Sequence, residues 1–499
     1  MFEIKYRRIQ LAIIIGISSP TVIGAEAANA AAELLDKTLT GTGDSLNQSV
    51  AFYSIGEGKN FFERDADKLV SPASVTKIIT AAATLAKLGP DFKFQTRLFH
   101  TGARKKAQVN GDLIVVGDGD PFLVSEKIWQ MCADLKHMGI KEFSGDLVID
   151  NSLFDNETRD DSRADSAKKS NWAYDSPVSA LGINFNTVAL AVAPGDAAGQ
   201  SARINIDPYP LDNLIIVNRL MTVNSGSRAL KVSRETKAPG VDVVSVNGKI
   251  TDSDNLQKVY RSVSDSARTS GEYIKAFLQQ EGIRIKGKIR QGRLDPARAK
   301  FLMSVESYEM QKIISGLNKF SNNYIADVLV KRLGAAFPTG QSPNGPGTGS
   351  FSNGTAVLRK FLREDVGIKT DFELHNGSGL STDNRVSARQ IVQVLNYMEK
   401  RFDLFPEFLV SLPAAGWDGT LAKRFDKESD ARVMGTIRAK TGTLTEPITV
   451  SSLAGYVKHP KLGWISFAVL DNGVAGKKQP SLAALRDRQD DALIALMKN

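Results

Sequence analysis

The chain has 499 residues, of which 42% are hydrophobic and 24% charged, and its formal net charge is +9. This is the composition of a globular chain long enough for two to four domains. It carries no dense lysine-arginine block and no aromatic-basic interleaving, which argues against nucleic acid as a partner, and its single cysteine, Cys132, rules out an internal disulfide framework.

In chain order, Lys5, Arg7 and Arg8 form a basic start and Leu11 to Ile17 a short apolar run, followed by small residues. This pattern reads as a secretory signal, residues 1–27, processed near Ala25-Glu26-Ala27 or Ala28-Asn29-Ala30. The run is too short to span a bilayer, so no transmembrane anchor is expected after its removal and the mature chain is expected outside the cytoplasm. Ala31 to Lys37 follows as a short helix, then Val50 to Ile55 and Phe61 to Glu63 as a hairpin. Behind Pro72, the residues Val75, Ile78, Ile79, Ala82, Ala83 and Ala86 keep helical spacing up to Gly89-Pro90.

Ser74-Val75-Thr76-Lys77 lies at the start of that helix. A serine and a lysine three apart share one helix face, which places an amine within reach of a hydroxyl that needs a base to become a nucleophile. Ser74 could equally cap the helix, and Ser166-Ala167-Lys168-Lys169 has the same spacing.

From Phe94 the texture changes to short strands and turns. Gly111-Asp112-Leu113-Ile114-Val115-Val116 and Gly145-Asp146-Leu147-Val148-Ile149-Asp150 echo each other around a helix near Ser125 to His137. Asp118, Asp120 and Asp150 could suggest a calcium loop, but their spacing fits no EF-hand. The four histidines, His100, His137, His375 and His459, have no metal-ligand spacing, so no metal and no other cofactor is expected. Asn156 to Ser170 reads as a boundary, Pro177 to Val263 as a mostly-β module, and Ser270 to Gln280 as a helix. Helical texture resumes at Val305, where Ser321-Asn322-Asn323 separates two apolar helical patterns. The Gly345-Pro346-Gly347-Thr348-Gly349 stretch lacks the lysine of a phosphate loop and reads as turns. Another helix spans Thr355 to Glu364. Two strands, Ser452 to Val457 and Trp464 to Leu470, and a helix from Leu482 to Met497 close the chain.

Lys440-Thr441-Gly442 occurs once, after the strand-like Thr436-Ile437-Arg438-Ala439. A lysine and a threonine exposed on an edge strand, followed by Gly442, leave room for a substrate carbonyl and carboxylate along the backbone. With Ser321-Asn322-Asn323, the chain then holds Ser-x-x-Lys, Ser-x-Asn and Lys-Thr-Gly in that order, the set used by penicillin-binding proteins and serine β-lactamases. A literal Ser-Asp-Asn at Ser253-Asp254-Asn255 sits in a polar stretch and is set aside.

Over nearly its whole mature length the sequence resembles the class C low-molecular-mass penicillin-binding proteins, the D-alanyl-D-alanine carboxypeptidase/endopeptidase family. The segments Ser71 to Lys77, Asn318 to Asn323, Asn376 to Ser381, Gly416 to Leu421 and Ala439 to Leu444 carry the resemblance. It implies an α/β multi-domain fold: a transpeptidase/β-lactamase-like domain, with an antiparallel sheet flanked by helices, carrying two nested, mostly β inserted domains. The catalytic domain would be 28–93 and 298–499, inserted domain II 94–170 and 258–297, and nested domain III 171–257. The 247 positions between Ser74 and Ser321 leave space for them.

The resemblance also implies roles. Ser74 would attack the carbonyl of the penultimate D-alanine, with Lys77 as base. Ser321 would relay a proton, and Asn323 would bind the substrate backbone and Lys77. Lys440 would fix the electrostatics, and Thr441 and Thr443 would hold the terminal carboxylate. The backbone amides of Ser74 and Thr443 would form the oxyanion hole. Peptidoglycan stem peptides and cross-links would be the substrates, β-lactams would acylate Ser74, and the location would be periplasmic. The sequence departs from the family pattern at Asn376, where aspartate is usual, and at Thr382-Asp383, where a basic residue often follows, with Arg385 nearby. Side-chain recognition is then expected through Asp150 and Phe154 of the inserted region, or Arg385. The rival readings are a β-lactamase or esterase on the same fold, or a non-catalytic wall-binding protein.

Overall fold

The computed structural model describes residues 20–40, 45–163, 170–338, 347–425 and 431–498. The basic and apolar stretches of the expected signal up to residue 19, the Ser166–Lys169 tetrapeptide and residues 345–346 of the glycine-rich turn lie outside them. The helix expected at Ala31 to Lys37 runs Pro20–Leu39, through both candidate processing sites. Its Ala28, Ala31, Leu35 and Leu39 recur every three or four residues and are buried, so one stripe docks against the Leu482–Lys498 helix. Among the described residues, no helix is long and apolar enough to cross a membrane.

Both ends of the chain meet in one sheet. Its strand order is Ile437–Leu444, Val450–His459, Gly463–Gly473, Leu46–Ser54, Lys59–Arg64, and every neighbouring pair is antiparallel. Side chains alternate between the faces of a strand. Val50 and Phe52 therefore join one core with Phe467 and Leu453, while Ala51 faces the opposite core with Ala454 and Ala468. Helices cover both faces, so the three inner strands are buried along most of their length rather than on alternate residues. The Thr76–Leu88 helix lies in the larger core, where ten of its residues are buried. Gly89, at φ 85°, ends it.

The chain leaves this region directly after that helix and returns just before the Met310–Lys319 helix. The outgoing strand Gln95–Thr101 pairs antiparallel with the returning strand Ala299–Glu306. They form two neighbours of a mixed sheet whose order is Ile289–Gln291, Leu147–Asp150, Leu113–Val116, Gln95–Thr101, Ala299–Glu306. The two echoing segments of the sequence are parallel partners there, with Ile114 opposite Val148. Farther out, Thr187–Ala193 pairs with Arg203–Asp207 and Gln257–Ser262, and Leu214–Val223, Val241–Thr251 and Ala229–Ala238 form another sheet. The helix expected from Ser270 begins four residues earlier, at Ser266, capped by Asp265, whose carboxylate accepts from the Arg268 amide.

Candidate active site

Ser74 is placed by a sharp turn. Ala73 adopts φ 46°, unusual for a residue with a Cβ, and Ala73–Val75 forms a single 3-10 turn ahead of the Thr76–Leu88 helix. No side chain caps that helix, so the capping alternative for Ser74 does not hold. Its Oγ instead accepts a hydrogen bond from Lys77 Nζ at 3.0 Å. Lys77 is fully buried and also donates to Asn323 Oδ1 at 2.6 Å and to the Ser378 carbonyl at 2.5 Å. The Ser74 hydroxyl, the Asn323 amide oxygen and the Ser378 carbonyl thus hold the buried Lys77 amine in place.

Each residue of Ser321-Asn322-Asn323 has its own task. Ser321, at φ 53°, breaks the chain between the Met310–Lys319 and Asn323–Ala336 helices. Asn322 caps the second helix, its Oδ1 accepting from the Ile325 amide at 3.0 Å. Asn323 opens that helix and turns its amide to Lys77, while its Nδ2 donates to the Tyr174 carbonyl at 2.9 Å. The rejected Ser253-Asp254-Asn255 lies in a turn where Asp254 accepts from the Thr251 amide.

The Lys-Thr-Gly segment is on the edge strand Ile437–Leu444. One expectation needs correction: Lys440 is not exposed but fully buried. Its Nζ donates to Ser321 Oγ at 2.7 Å and to the Thr441 carbonyl at 2.8 Å. Burial, and then the Lys77 charge, hold its amine well below the usual lysine range. Gly442 explains how the strand comes so close to Ser74. A Cβ there would lie 2.6 Å from the Pro72 carbonyl oxygen and 3.1 Å from the Ser74 amide nitrogen.

These groups line a cleft of about 1150 Å³, with Ser74, Ser321, Asn323, Thr441, Thr443 and Arg486 on its walls. Thr441 Oγ1 donates to Thr420 Oγ1 at 2.8 Å, and Thr443 Oγ1 accepts from Arg486 Nη2 at 3.1 Å. Burial, and then repulsion from Arg424, lower the Arg486 guanidinium from its usual value.

Three expected recognition residues are elsewhere. Asp150 is buried at the end of its strand, its oxygens accepting from the Ser152 amide at 2.9 Å and the Leu294 amide at 2.6 Å. It shapes turns and has no face on the cleft. Phe154 is a core residue, bridged to Gly349 and lying under Lys331. Arg385 donates to the Thr382 and Asn384 carbonyls and so braces the loop behind the cleft wall. Sequence reasoning missed the Ser378 and Tyr174 carbonyls and Arg486. Main-chain groups leave no trace in residue type, and Arg486 is one of several charged residues on its helix. Only Ser378 had a signal, lying within the Asn376 to Ser381 segment.

A model of the D-Ala-D-Ala carboxypeptidase 3 (S13) family matches residues 31–492. The chain belongs to that family. Serine-type D-Ala-D-Ala carboxypeptidase is therefore its enzyme class, as the three motifs implied. The D-alanyl-D-alanine carboxypeptidase of Actinomadura sp. (strain R39) is 30% identical over 86% of this chain and 78% of its own length. That of Haemophilus influenzae is 27% identical over 84% of both. The crystal structure of penicillin binding protein 4 from Haemophilus influenzae shares the fold, with TM-score 0.74 and 24% identity over 92% of this chain and 97% of that one. The α/β multi-domain fold that the resemblance implied, with sheets flanked by helices, is thus the observed one.

Proposed function

We propose that the chain is a serine D,D-peptidase of peptidoglycan that works through an acyl-enzyme on Ser74. The observation that carries this is the meeting of Ser74, Lys77 and Asn323 in one hydrogen-bonded set, beside a second set of Ser321 and Lys440. Lys77, 3.0 Å from the hydroxyl, takes its proton as Ser74 attacks the carbonyl of the penultimate D-alanine. Two cations buried in one cleft repel, and in the state with the proton on Lys440 the neutral Lys77 amine acts as base. Ser321, bonded to Lys440, passes a proton to the leaving D-alanine amine. The Ser74 and Thr443 amides receive the oxyanion. Thr441 and Thr443, the latter bonded to Arg486, hold the terminal carboxylate. Water then frees the enzyme.

The same steps serve cross-link cleavage, in which the leaving amine belongs to a second stem peptide. The Haemophilus influenzae relative was also solved complexed with a β-lactam; by analogy β-lactams acylate Ser74 here. The proposed layout is a catalytic region of 28–93 and 298–499 around domain II (94–170 and 258–297) and domain III (171–257). The pairing of Gln95–Thr101 with Ala299–Glu306 supports the insertion as such, but it keeps Ala299–Glu306 with the inserted sheet, and Gln257–Ser262 pairs with Thr187–Ala193 of the nested module, which moves those two bounds to about 307 and 263. Export to the periplasm is part of the reading.

The test is labelling with a fluorescent penicillin, followed by incubation with muropeptides. Wild type should label stoichiometrically and release D-alanine or cleave cross-links, and Ser74→Ala should do neither. Equal labelling of the two would sink the nucleophile. Rapid release of penicilloate would point to a β-lactamase, and labelling without peptide cleavage to a wall-binding protein.

A further inference from the structure

The departure at Asn376 has a partner. Asn376 is fully buried, and its Nδ2 donates to Asp160 Oδ2 at 3.1 Å. Asp160 lies in the loop that follows the Leu147–Asp150 strand, 2% exposed, and also accepts from Ser162 Oγ. The other end of the Asn376 amide holds the turn after it. Its Oδ1 accepts from the Gly379 amide at 2.9 Å and from Asn384 Nδ2 at 3.1 Å. Thr80 Oγ1 ties the Gly377 carbonyl to the Ser74 helix at 2.8 Å. The next carbonyl, that of Ser378, is the one that accepts from Lys77. The turn is seated directly on the nucleophile's own turn: a Cβ on Gly379 would lie 1.8 Å from the Ala73 carbonyl oxygen.

We propose that Asp160 is a positioning residue for Lys77, acting through Asn376 and the Ser378 carbonyl, and that an amide at 376 is what this carboxylate requires. The proposal rests on Lys77 being the base of the acylation step. An ionised aspartate has only acceptors, whereas an asparagine presents both a donor and an acceptor. Asn376 can therefore face a carboxylate on one side and two N–H donors on the other. An aspartate at 376 would keep the bonds to Gly379 and Asn384 but set two buried acceptors against each other, and one must move or take up a proton. The turn would then shift, carrying the Ser378 carbonyl away from Lys77. The pair works equally well with its members exchanged, since one amide and one carboxylate are present in either order.

The experiment measures the second-order rate of acylation by a fluorescent penicillin, alongside final labelling stoichiometry and melting temperature. Asn376→Asp should slow acylation at least about tenfold, the scale of one buried polar contact left unsatisfied. Adding Asp160→Asn to it should restore the rate to within about threefold of wild type, given the usual coupling of contacting residues. Should Asn376→Asp not fold, Asp160→Ala takes its place: labelling reaches full stoichiometry but slowly. Wild-type rates in Asn376→Asp or in folded Asp160→Ala would overturn the proposal. So would a folded exchange variant that stays slow. Ser74→Ala is run in parallel: if it labels, the acyl-enzyme reading itself fails, whereas a silent Ser74→Ala with fast Asn376→Asp refutes only the positioning role.

Discussion

Lys440 shows what a single functional side chain costs. A buried amine with a like charge nearby opposes folding, because the folded state must carry it neutral or leave its charge poorly solvated. Its folded pKa is depressed below the ordinary 10.5, so at intermediate pH the unfolded chain binds more protons. Stability therefore rises with pH between the depressed value and about 10.5, and falls toward acid. Lys440→Met removes this dependence. Its melting temperature should equal or exceed that of wild type at neutral pH, and the gap should narrow as pH is raised toward 10.5, while acylation is lost. A melting series from pH 6 to 10 on both proteins checks this; a gap independent of pH would refute it. Ser321→Ala should slow acylation about 10²-fold or more, the usual range for a positioned proton relay, as measured by labelling rate.

At the scale of elements, the Asn323–Ala336 helix joins the cleft to the inserted region. Asn323 at its start faces Lys77. Two turns on, Lys331 is fully buried and bonded to Asp155 and to the Glu157 carbonyl. Breaking a buried pair costs more than its net worth, because one charge remains without compensation. Asp155→Ala should destabilise the protein by about 3–5 kcal/mol in urea unfolding, whereas Lys331→Met with Asp155→Leu should recover much of that. The edge strand carries a second requirement. Gly442→Ala places a methyl 2.6 Å from the Pro72 carbonyl oxygen, so strand and serine turn must separate. Acylation should fall more than about tenfold, with a stability loss of about 1–3 kcal/mol, the usual cost of overpacking.

At the scale of the whole molecule, the cleft is built where distant parts of the chain converge. Arg486, on the last helix, bonds Thr443 on its wall, and Lys77 and Lys440 lie behind it. Arg486→Ala should raise KM for a peptide ending in a free carboxylate about tenfold, with little change for the amidated peptide. Equal effects on both would show a structural role instead. The motifs Ser74 to Lys77, Ser321 to Asn323 and Lys440 to Gly442 were legible in the sequence because their chemistry depends on residue type at short spacing. The inserted region was legible because strand texture differs from helix texture. Other parts were not. Asp150 and Phe154 looked like recognition residues, yet backbone amides and core packing claim them. Lys440 looked exposed on its edge strand, yet Ser321 and the Thr441 carbonyl enclose its amine. By itself the sequence determined the family, the three motifs with their order, and the presence of a strand-rich stretch between helical ones. Tertiary structure alone decided that the Ser378 and Tyr174 carbonyls orient Lys77 and Asn323, and that Asp160 faces Asn376. The physical reason is that a carbonyl is common to every residue, and a partner 216 positions away is selected only when the chain has folded.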